Sequence, residues 1–204
     1  WQLGSSELVF DESMYAFRSI GYLDYLDSPY QTTPVQWYGG ELRPWWTHLS
    51  FHDHPPLYFL IQHFFLAVFG DNLQAARLPS ALAGLVSIFI IYLIARRIFS
   101  QFDFSRKKFW GLPASEIGGL SAALLAGVSL SLVSVSRVSM QEGVLFLFIL
   151  WNFYFFLKLL DTSRGWLGFG LTLGAAMLVK YVAVFLAPVY VISLLLVRPS
   201  FFRD

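Results

Sequence analysis

Five long apolar stretches follow one another along residues 77–204, and only short polar segments separate them. A helix that crosses a lipid bilayer needs about 20 mostly apolar residues. The pattern therefore predicts about five transmembrane helices, of which the fourth is short because Lys180 and Tyr181 soon interrupt the apolar run. The predicted spans are 78–99, 117–136, 143–160, 166–179 and 182–197.

Residues 1–76 contain no apolar stretch long enough to span a bilayer, and they are rich in acidic and aromatic side chains. The segment 12–26 has the pattern of an amphipathic helix on the membrane surface, with Asp11 as a candidate N-cap. A second surface helix is predicted after Pro56. Residues 27–51 contain three prolines and a Gly-Gly pair, which predict an irregular segment suited to substrate contacts.

The chain therefore divides into two parts. Residues 1–76 are predicted to form a first extracytoplasmic loop with amphipathic surface helices, and residues 77–204 a transmembrane helical region. We expect both parts to be incomplete, because the sequence starts at Trp1 and stops just after an apolar run.

The positions of Lys and Arg predict the orientation of these helices, since cytoplasmic loops are enriched in both residues. In residues 1–76, only two arginines accompany eight carboxylates, so this loop is predicted to face outward. The chain is thus expected to be an integral protein of a plasma or inner membrane, with its active site on the extracytoplasmic side. The cationic residues predicted to face the cytoplasm are Arg96, Arg97, Arg106, Lys107, Lys108, Lys158, Arg164, Arg198 and Arg203.

Composition supports a membrane protein and narrows its partners. Hydrophobic residues make up 56% of the chain and charged residues only 13%, and phenylalanine occurs 21 times. A net charge of +1 gives no basic face for nucleic acid. The absence of cysteine excludes disulfides and thiolate metal sites.

The polar residues that stand next to the apolar stretches fall at one predicted depth, in outer loops or at outer helix ends. This arrangement favours a reaction at the outer interface over transport through the midplane. A lipid-linked phosphate would place its tail in the bilayer and its head among these cations, while a carboxylate takes a proton from an attacking hydroxyl. The residues are Asp11, Glu12, Asp53, His54, Arg77, Arg137, Glu142 and Lys180.

Several segments resemble, in order, the GT-C membrane glycosyltransferases related to protein O-mannosyltransferases and bacterial aminoarabinose transferases. The segments are FDESMYAF, HPPLYFLIQHFFLAVFG, ARLPSALAGL, SRVSMQEGVLFLFILW and GLTLGAAMLVKYVAV. The resemblance implies an all-α polytopic membrane protein of GT-C type. It also implies an enzyme that transfers a hexose or pentose, with inversion, from a polyprenyl-phosphate donor to an acceptor of unknown identity.

The same resemblance assigns roles to individual residues. Asp11 would activate the acceptor hydroxyl, and Glu12 would support it. His54, which precedes the paired prolines, would lie close to the lipid phosphate. Arg77, Arg137 and Lys180 match basic residues at outer helix ends, and we expect them to bind the donor.

A divalent metal is a further alternative. His52, Asp53 and His54 are all residue types that bind metals, and relatives that place a carboxylate ligand there make Asp53 the candidate. Adjacent residues rarely all reach one ion, so an ordinary polar loop is the competing interpretation. The sequence requires no cofactor.

Simpler interpretations of the other residues stay open. Asp11 is a suitable helix cap, and the helix dipole also favours Glu12. Arg137 and Lys180 can place their charges at the interface without binding a ligand. At the level of function, the alternatives are a non-enzymatic lipid or solute transporter, which should show midplane charges or broken helices, and an inactive assembly partner. The sequence indicates neither midplane charges nor broken helices.

Overall fold

The computed structural model describes residues 10–20, 54–102, 107–162 and 165–197, and these residues are mainly helical. The predicted all-α class is therefore confirmed, with one short β-hairpin as the exception in this part of the chain. Its strands, β1 (Lys108–Phe109) and β2 (Leu112–Pro113), pair antiparallel. The helices are α1 (Phe10–Ile20), α2 (Leu57–Phe69), α3 (Leu73–Phe99), α4 (Ala114–Val128), α5 (Leu130–Arg137), α6 (Gln141–Thr162), α7 (Trp166–Val179), a 3-10 helix (Tyr181–Phe185) and α8 (Leu186–Val197).

The amphipathic helix predicted in the first loop is present as α1, but Asp11 is not its cap. The chain is already helical at Phe10, and Asp11 and Glu12 both lie in the first turn. The predicted start at residue 12 is two residues later than the helical residue Phe10, a common uncertainty at helix ends. The cap role proposed for Asp11 is therefore removed. Residues 21–26 of the predicted helix lie outside the described residues.

A tight turn joins α2 to α3. Gly70 has a φ of 86°, a conformation that favours glycine. Asn72 caps α3, because its side-chain oxygen accepts a hydrogen bond of 2.9 Å from the backbone N–H of Ala75. Both signals lie before the apolar run, so α3 begins at Leu73 and brings Arg77 into its first turns.

All five apolar segments are helical. Two helices, α3 and α6, are long and apolar enough to cross a membrane in the described ranges, and α4 with α5 passes the same test as a bent pair. The remaining apolar helices, α2, α7 and the 3-10 helix with α8, are shorter. Length and composition thus support two or three spans in this part of the chain.

The bend between α4 and α5 is a correction to the sequence analysis, which expected no broken helix. The two helices meet at an angle of 58° around Ser129. Ser129 has an extended backbone with ψ of 120°, and the flanking residues are rich in serine and valine, which favour helices less than alanine or leucine. The sequence thus weakens the helix where it breaks.

Helix α3 lies at the centre of the packing and contacts α2, α4, α5 and α6. Glycine permits one close approach, since a Cβ on Gly84 would lie 2.1 Å from the hydroxyl of Ser136 on α5. The main apolar core joins α2, α3, α6, α7 and the 3-10 helix. It consists of Tyr58, Phe59, Ala83, Val144, Leu145, Ala176, Val179 and Ala183.

Candidate active site at one end of the helices

A buried ion pair fixes α1 against the start of α3. The guanidinium of Arg77 donates from Nε to Glu12 Oε1 at 2.9 Å and from Nη2 to Oε2 at 2.8 Å. The backbone N–H of Ser139 donates to the same Oε1 at 2.5 Å. Glu12 is 0% and Arg77 3% exposed. A buried carboxylate needs such partners, so this contact defines where α1 sits.

A second polar group surrounds Gln62, which is fully buried in α2. Its side-chain oxygen accepts a hydrogen bond of 2.6 Å from Ser19. Its nitrogen donates to the backbone oxygen of Ala76 at 2.9 Å and to the hydroxyl of Ser139. The Ser139 hydroxyl in turn donates to Ala76 O at 2.9 Å. Gln62 thus joins α1, α2, α3 and the segment before α6.

Asp11 lies beside this anchor but on another face of α1. Successive residues of an α-helix are turned by about 100°, so burial of Glu12 directs its neighbour elsewhere. Asp11 is exposed, in agreement with this geometry. Tyr15 follows four residues later and lies on the same side of the helix as Asp11. The buried pair therefore presents Asp11 and Tyr15 together at an open surface.

His54 joins this surface from the start of α2. Its ring lies 5.6 Å from the ring of Tyr15 in an edge-to-face arrangement, and 6.2 Å from that of Phe59. Phe59 is fully buried and also contacts Tyr15. The imidazole packs on rings from two helices, Tyr15 of α1 and Phe59 of α2. His54, which is predicted to contact the phosphate of the sugar donor, thus lies next to the turn that carries Asp11.

Lys180 and Glu142 form an ion pair at the same surface. Lys180 ends α7, and its Nζ lies 2.5 Å from Oε1 of Glu142 in the first turn of α6. Their side chains are 34% and 37% exposed, so the pair is open to a ligand. Within the described residues, the other carboxylate oxygen of Glu142 has no hydrogen-bond partner.

The pKa of Tyr15 is shifted by the charged groups around its phenol. Burial raises the pKa of the Tyr15 phenol above its usual value, and the negative charges of Glu142 and Asp11 raise that pKa further. The positive charges of Lys180 and Arg18 oppose the shift. Asp11, Glu142 and Lys180 therefore all lie close enough to act on one hydroxyl, which stays protonated and able to donate at neutral pH.

A mostly apolar groove of about 300 Å³ leads to this surface between α5 and α6. It extends from the bend at Ser129 to the carboxylate of Glu142. Its lining is Ser129, Ser131, Leu132, Val135, Glu142 and Phe146.

The structure places the other predicted residues differently. Arg77 is paired with Glu12 below the surface, so its predicted contact with a donor phosphate stays a prediction. Arg137 is exposed at the end of α5, five residues before Glu142. Asp53, the predicted metal ligand, lies outside the described residues, and so does segment 27–51, the predicted irregular segment.

In the described ranges, no group of three or more His, Asp or Glu side chains is arranged to hold a metal ion. Because His52 and Asp53 lie outside these ranges, the metal hypothesis stays a prediction.

Sequence reasoning missed the residues that hold the site together. It assigned no role to Tyr15, Gln62 or Ser139, and it placed Glu142 at the right depth without a function. Gln62 had a signal, since it is one of only two polar residues in the apolar segment of α2. Ser139 had none, because its contribution to Glu12 is a backbone N–H that any residue but proline supplies.

Comparisons with known proteins give one result. No curated protein and no solved structure matched the chain. One family model matched residues 53–103 and 113–203, which together make up more than half of the chain, and its description is dolichyl-phosphate-mannose-protein mannosyltransferase. The match includes His54, Arg77, Arg137, Glu142 and Lys180. The chain therefore belongs to the family of dolichyl-phosphate-mannose-protein mannosyltransferases.

Proposed function

We propose that this chain carries the catalytic base and part of the donor site of an inverting glycosyltransferase that acts at the extracytoplasmic face of its membrane. Family membership supports the coarser statement, a membrane glycosyltransferase that uses a polyprenyl-phosphate sugar donor. The finer statement depends on the site. Asp11 is the base, and Lys180 with His54 faces the donor phosphate.

One observation carries this proposal: the buried contact of Glu12 with Arg77 and Ser139 fixes the turn from which Asp11 emerges. A general base must be held within hydrogen-bond reach of the proton that it takes. Three rigid elements meet at Glu12, so the position of its neighbour is set by buried contacts. Asp11 itself remains exposed and able to meet a hydroxyl.

The transfer is a single displacement. The acceptor O–H gives its proton to the carboxylate of Asp11 while its oxygen attacks the anomeric carbon. The bond from that carbon to the phosphate oxygen breaks, and its electron pair leaves with the polyprenyl phosphate. Attack from the face opposite the leaving group inverts the anomeric carbon. Negative charge grows on the phosphate, where cationic groups stabilise it most effectively.

Lys180 is the cation best placed for that phosphate. It is half-exposed, it ends a helix, and its partner Glu142 lines the groove between α5 and α6. An ammonium binds phosphate oxygens as a point charge. The ring of His54 lies beside Tyr15. Arg137 lies at the end of α5, five residues before Glu142. The groove offers an apolar path for the first part of the carrier chain.

The family description names dolichyl phosphate mannose as donor and protein as acceptor. For this chain, both are starting points for a panel. We propose a polyprenyl-phosphate hexose or pentose as donor, and the acceptor is to be sought among proteins, lipids and polysaccharides. The panel is run with full-length protein in nanodiscs.

The decisive test replaces Asp11 with Asn, which keeps the shape and removes the base. We expect sugar transfer to fall by about 100- to 10,000-fold, with donor affinity nearly unchanged. The matched control is Asp71→Asn, because Asp71 is an exposed carboxylate in the turn before α3. Transfer by Asp11→Asn within a few-fold of the wild-type rate would overturn the assignment of the base.

The side of the membrane has its own test. The chain contains no cysteine, so single cysteines report their own positions. Asp71→Cys and Gln101→Cys lie at opposite ends of α3, and both original residues are exposed. Only Asp71→Cys should react with an impermeant thiol reagent added to intact cells. The reverse labelling pattern would place the chemistry on the cytoplasmic side.

The transporter alternative gains one feature from the structure, the bend at Ser129, since transporters use broken helices. The sequence between Glu116 and Arg137 carries no ionisable residue at that break. A transporter would keep lipid or solute flux in Asp11→Asn, whereas a transferase loses product formation.

A further inference from the structure

The β-hairpin after α3 exposes a tryptophan side chain to its surroundings. Trp110 is 96% exposed at the tip. Its φ of 50° and the φ of 83° at Gly111 match the two-residue turn in which both central residues have positive φ. Such a φ is unfavourable for a residue with a side chain. The fold therefore presents Trp110 outward in a backbone conformation that most sequences would give to asparagine.

Two lysines stand at the base of the same hairpin. Lys107 and Lys108 are both exposed, and the backbone oxygen of Lys107 accepts a hydrogen bond of 2.9 Å from the N–H of Ala114. Of the nearby arginines that the structure describes, Arg96 pairs with Glu116 and Arg97 with Asp161. Neither lysine forms an ion pair with a carboxylate in the part of the chain that the structure describes. Among the described residues at this end, Lys107 and Lys108 are therefore two exposed cations without a carboxylate partner.

An apolar groove of about 650 Å³ lies behind the hairpin. The groove follows α4 from Ile117 to Leu125, a distance of about 12 Å along a helix. Gly118 lets the ring of Phe99 lie against α4, since a Cβ there would be 2.6 Å from that ring. Apart from Ser121, the lining is apolar. It consists of Phe99, Phe109, Trp110, Ala114, Ile117, Gly118, Ser121, Ala122 and Leu125.

The hairpin lies at the end of α3 opposite the candidate active site, since Phe109 and Trp110 line a groove together with Phe99. Arg96 follows Arg77 by 19 positions along α3, a rise of about 30 Å, which is the thickness of a bilayer core. Tryptophan is enriched where hydrocarbon meets head groups, and lysine near that plane attracts anionic lipid. The tryptophan and the two lysines therefore suit the head-group region, and the groove runs from the hairpin along α4 to Leu125.

We propose that residues 107–113 and this groove form a binding site for an anionic phospholipid, with its head group on Lys107 and Lys108 and one acyl chain along α4. The occupant follows from charge and shape. A zwitterionic lipid would leave both lysines without a net countercharge. A second copy of this chain would bring the same two lysines against each other. The site is independent of the proposed transferase chemistry.

The test measures lipid binding to the full-length protein. Nanodiscs of phosphatidylcholine, with and without phosphatidylglycerol, carry bromine on the acyl chains of one lipid at a time. Bromine quenches nearby tryptophan, and the signal lost in Trp110→Phe isolates Trp110 from the other six tryptophans. We expect brominated phosphatidylglycerol to quench Trp110 more than brominated phosphatidylcholine at equal mole fraction. Equal quenching by the two lipids would overturn the proposal.

Variants separate the head-group contact from the groove. Lys107→Gln and Lys108→Gln should each weaken phosphatidylglycerol retention, followed by native mass spectrometry, by about fivefold. Lys158→Gln, on α6, is the matched control and should change it little. Ser121→Phe fills the groove and should reduce retention of both lipids, whereas Leu124→Phe, on the same helix outside the groove, should not.

Equal effects of the lysine variants and Lys158→Gln would overturn the head-group assignment, and equal effects of the two phenylalanine variants would overturn the groove. A dimer that depends on Trp110 would show that a second copy covers the hairpin, and this outcome would also overturn the proposal.

Discussion

The two ends of α3 carry the same pair of chemical groups in opposite surroundings. At one end, Arg77 is 3% exposed and binds both oxygens of a fully buried Glu12. At the other end, the Arg96 side chain is 49% exposed and pairs with Glu116, and Arg97 pairs with Asp161 at 2.5 Å near the surface. Arginine next to a carboxylate thus occurs at both ends of α3.

The difference lies in what each pair determines. In an exposed ion pair, water weakens the attraction between the two charges, so the pair contributes little to the free energy of unfolding. A buried pair has no water to replace a lost partner, so its geometry is imposed on the elements that carry it. Glu12 and Arg77 therefore fix α1 and the position of Asp11. At the other end, the exposed pairs engage Arg96 and Arg97, whereas Lys107 and Lys108 form no ion pair with a carboxylate within the described residues.

The largest expected effect is a loss in the free energy of unfolding when the buried pair is broken. Arg77→Ala leaves Glu12 buried without its cation, so we expect a loss of about 3 to 5 kcal/mol. Thermal unfolding of the full-length protein in detergent measures it. The double variant Glu12→Leu with Arg77→Leu removes both charges and should recover much of the stability.

That double variant also tests positioning. If the pair holds the turn of Asp11, transfer stays low although the protein is folded, and kcat falls more than donor affinity. Recovery of both stability and transfer in the double variant would contradict the positioning role.

A smaller effect is expected at the exposed cations of the site. Lys180→Ala or Arg137→Ala removes a charge-assisted contact to phosphate, worth about 1.5 to 3 kcal/mol, so donor affinity should fall by about one to two powers of ten. Arg137→Lys should recover only part of it, since an ammonium lacks the two-pronged contact. Lys158→Ala is the control at the other end. Unchanged affinity in both alanine variants would show that these cations only anchor helices.

His54 provides a related probe. If His54 acts on the phosphate through its positive charge, a fixed positive charge should serve as well, so His54→Lys should keep sugar transfer. It should also lose any pH dependence that an imidazole supplies near its ordinary pKa of about 6.5. An inactive but folded His54→Lys would show that the ring itself, packed on Tyr15 and Phe59, is required.

The sequence predicted the fold because the fold depends on apolar length. The apolar stretches all became helical, although residues 117–136 belong to the two helices α4 and α5, and residues 182–197 to a 3-10 helix followed by α8. The described helices before and after residues 27–51 follow amphipathic pattern and proline. The bend at Ser129 was not predicted, because several weak helix formers in a row lower helix stability but do not determine at which residue the backbone hydrogen bonds are interrupted. The start of α3 was predicted five residues late because polar caps precede the apolar signal.

The site was predictable only in part. The sequence pattern placed Asp11, Glu12, His54 and Arg77 among polar residues at one predicted depth, and the family resemblance gave them roles that stay predictions. The sequence could not show that Glu12 and Arg77 bind each other, since a difference of 65 positions along the chain leaves their separation in space open. The role of Ser139 was beyond prediction, because a backbone N–H has no sequence signature.

Helix packing near the buried pair gives the next effect. Gly84→Ala places a methyl group against Ser136 on α5, so either the serine or the helix must move, at a cost of about 1 to 3 kcal/mol. Gly170→Ala is the matched control, since a Cβ there meets nothing within 4 Å. It should be neutral or stabilising by up to about 1 kcal/mol, as alanine favours helices. Equal melting temperatures of the two variants would contradict the close approach of α5 to α3.

The smallest effect is expected at the partly exposed pair of Arg97 and Asp161, whose side chains are 22% and 40% exposed. A double-mutant cycle with Arg97→Ala and Asp161→Ala should give a coupling of about 0.2 to 1 kcal/mol, as for other exposed pairs. Salt should remove most of it, because the screening length falls from about 10 Å at 0.1 M to about 3 Å at 1 M. The same cycle on Glu12 and Arg77 should give a much larger coupling that salt barely changes, because water and ions do not reach a pair that is 0% and 3% exposed. If both cycles gave similar couplings with the same salt dependence, burial would not distinguish the two ends of α3, and the anchored position of Asp11 would lose its physical basis.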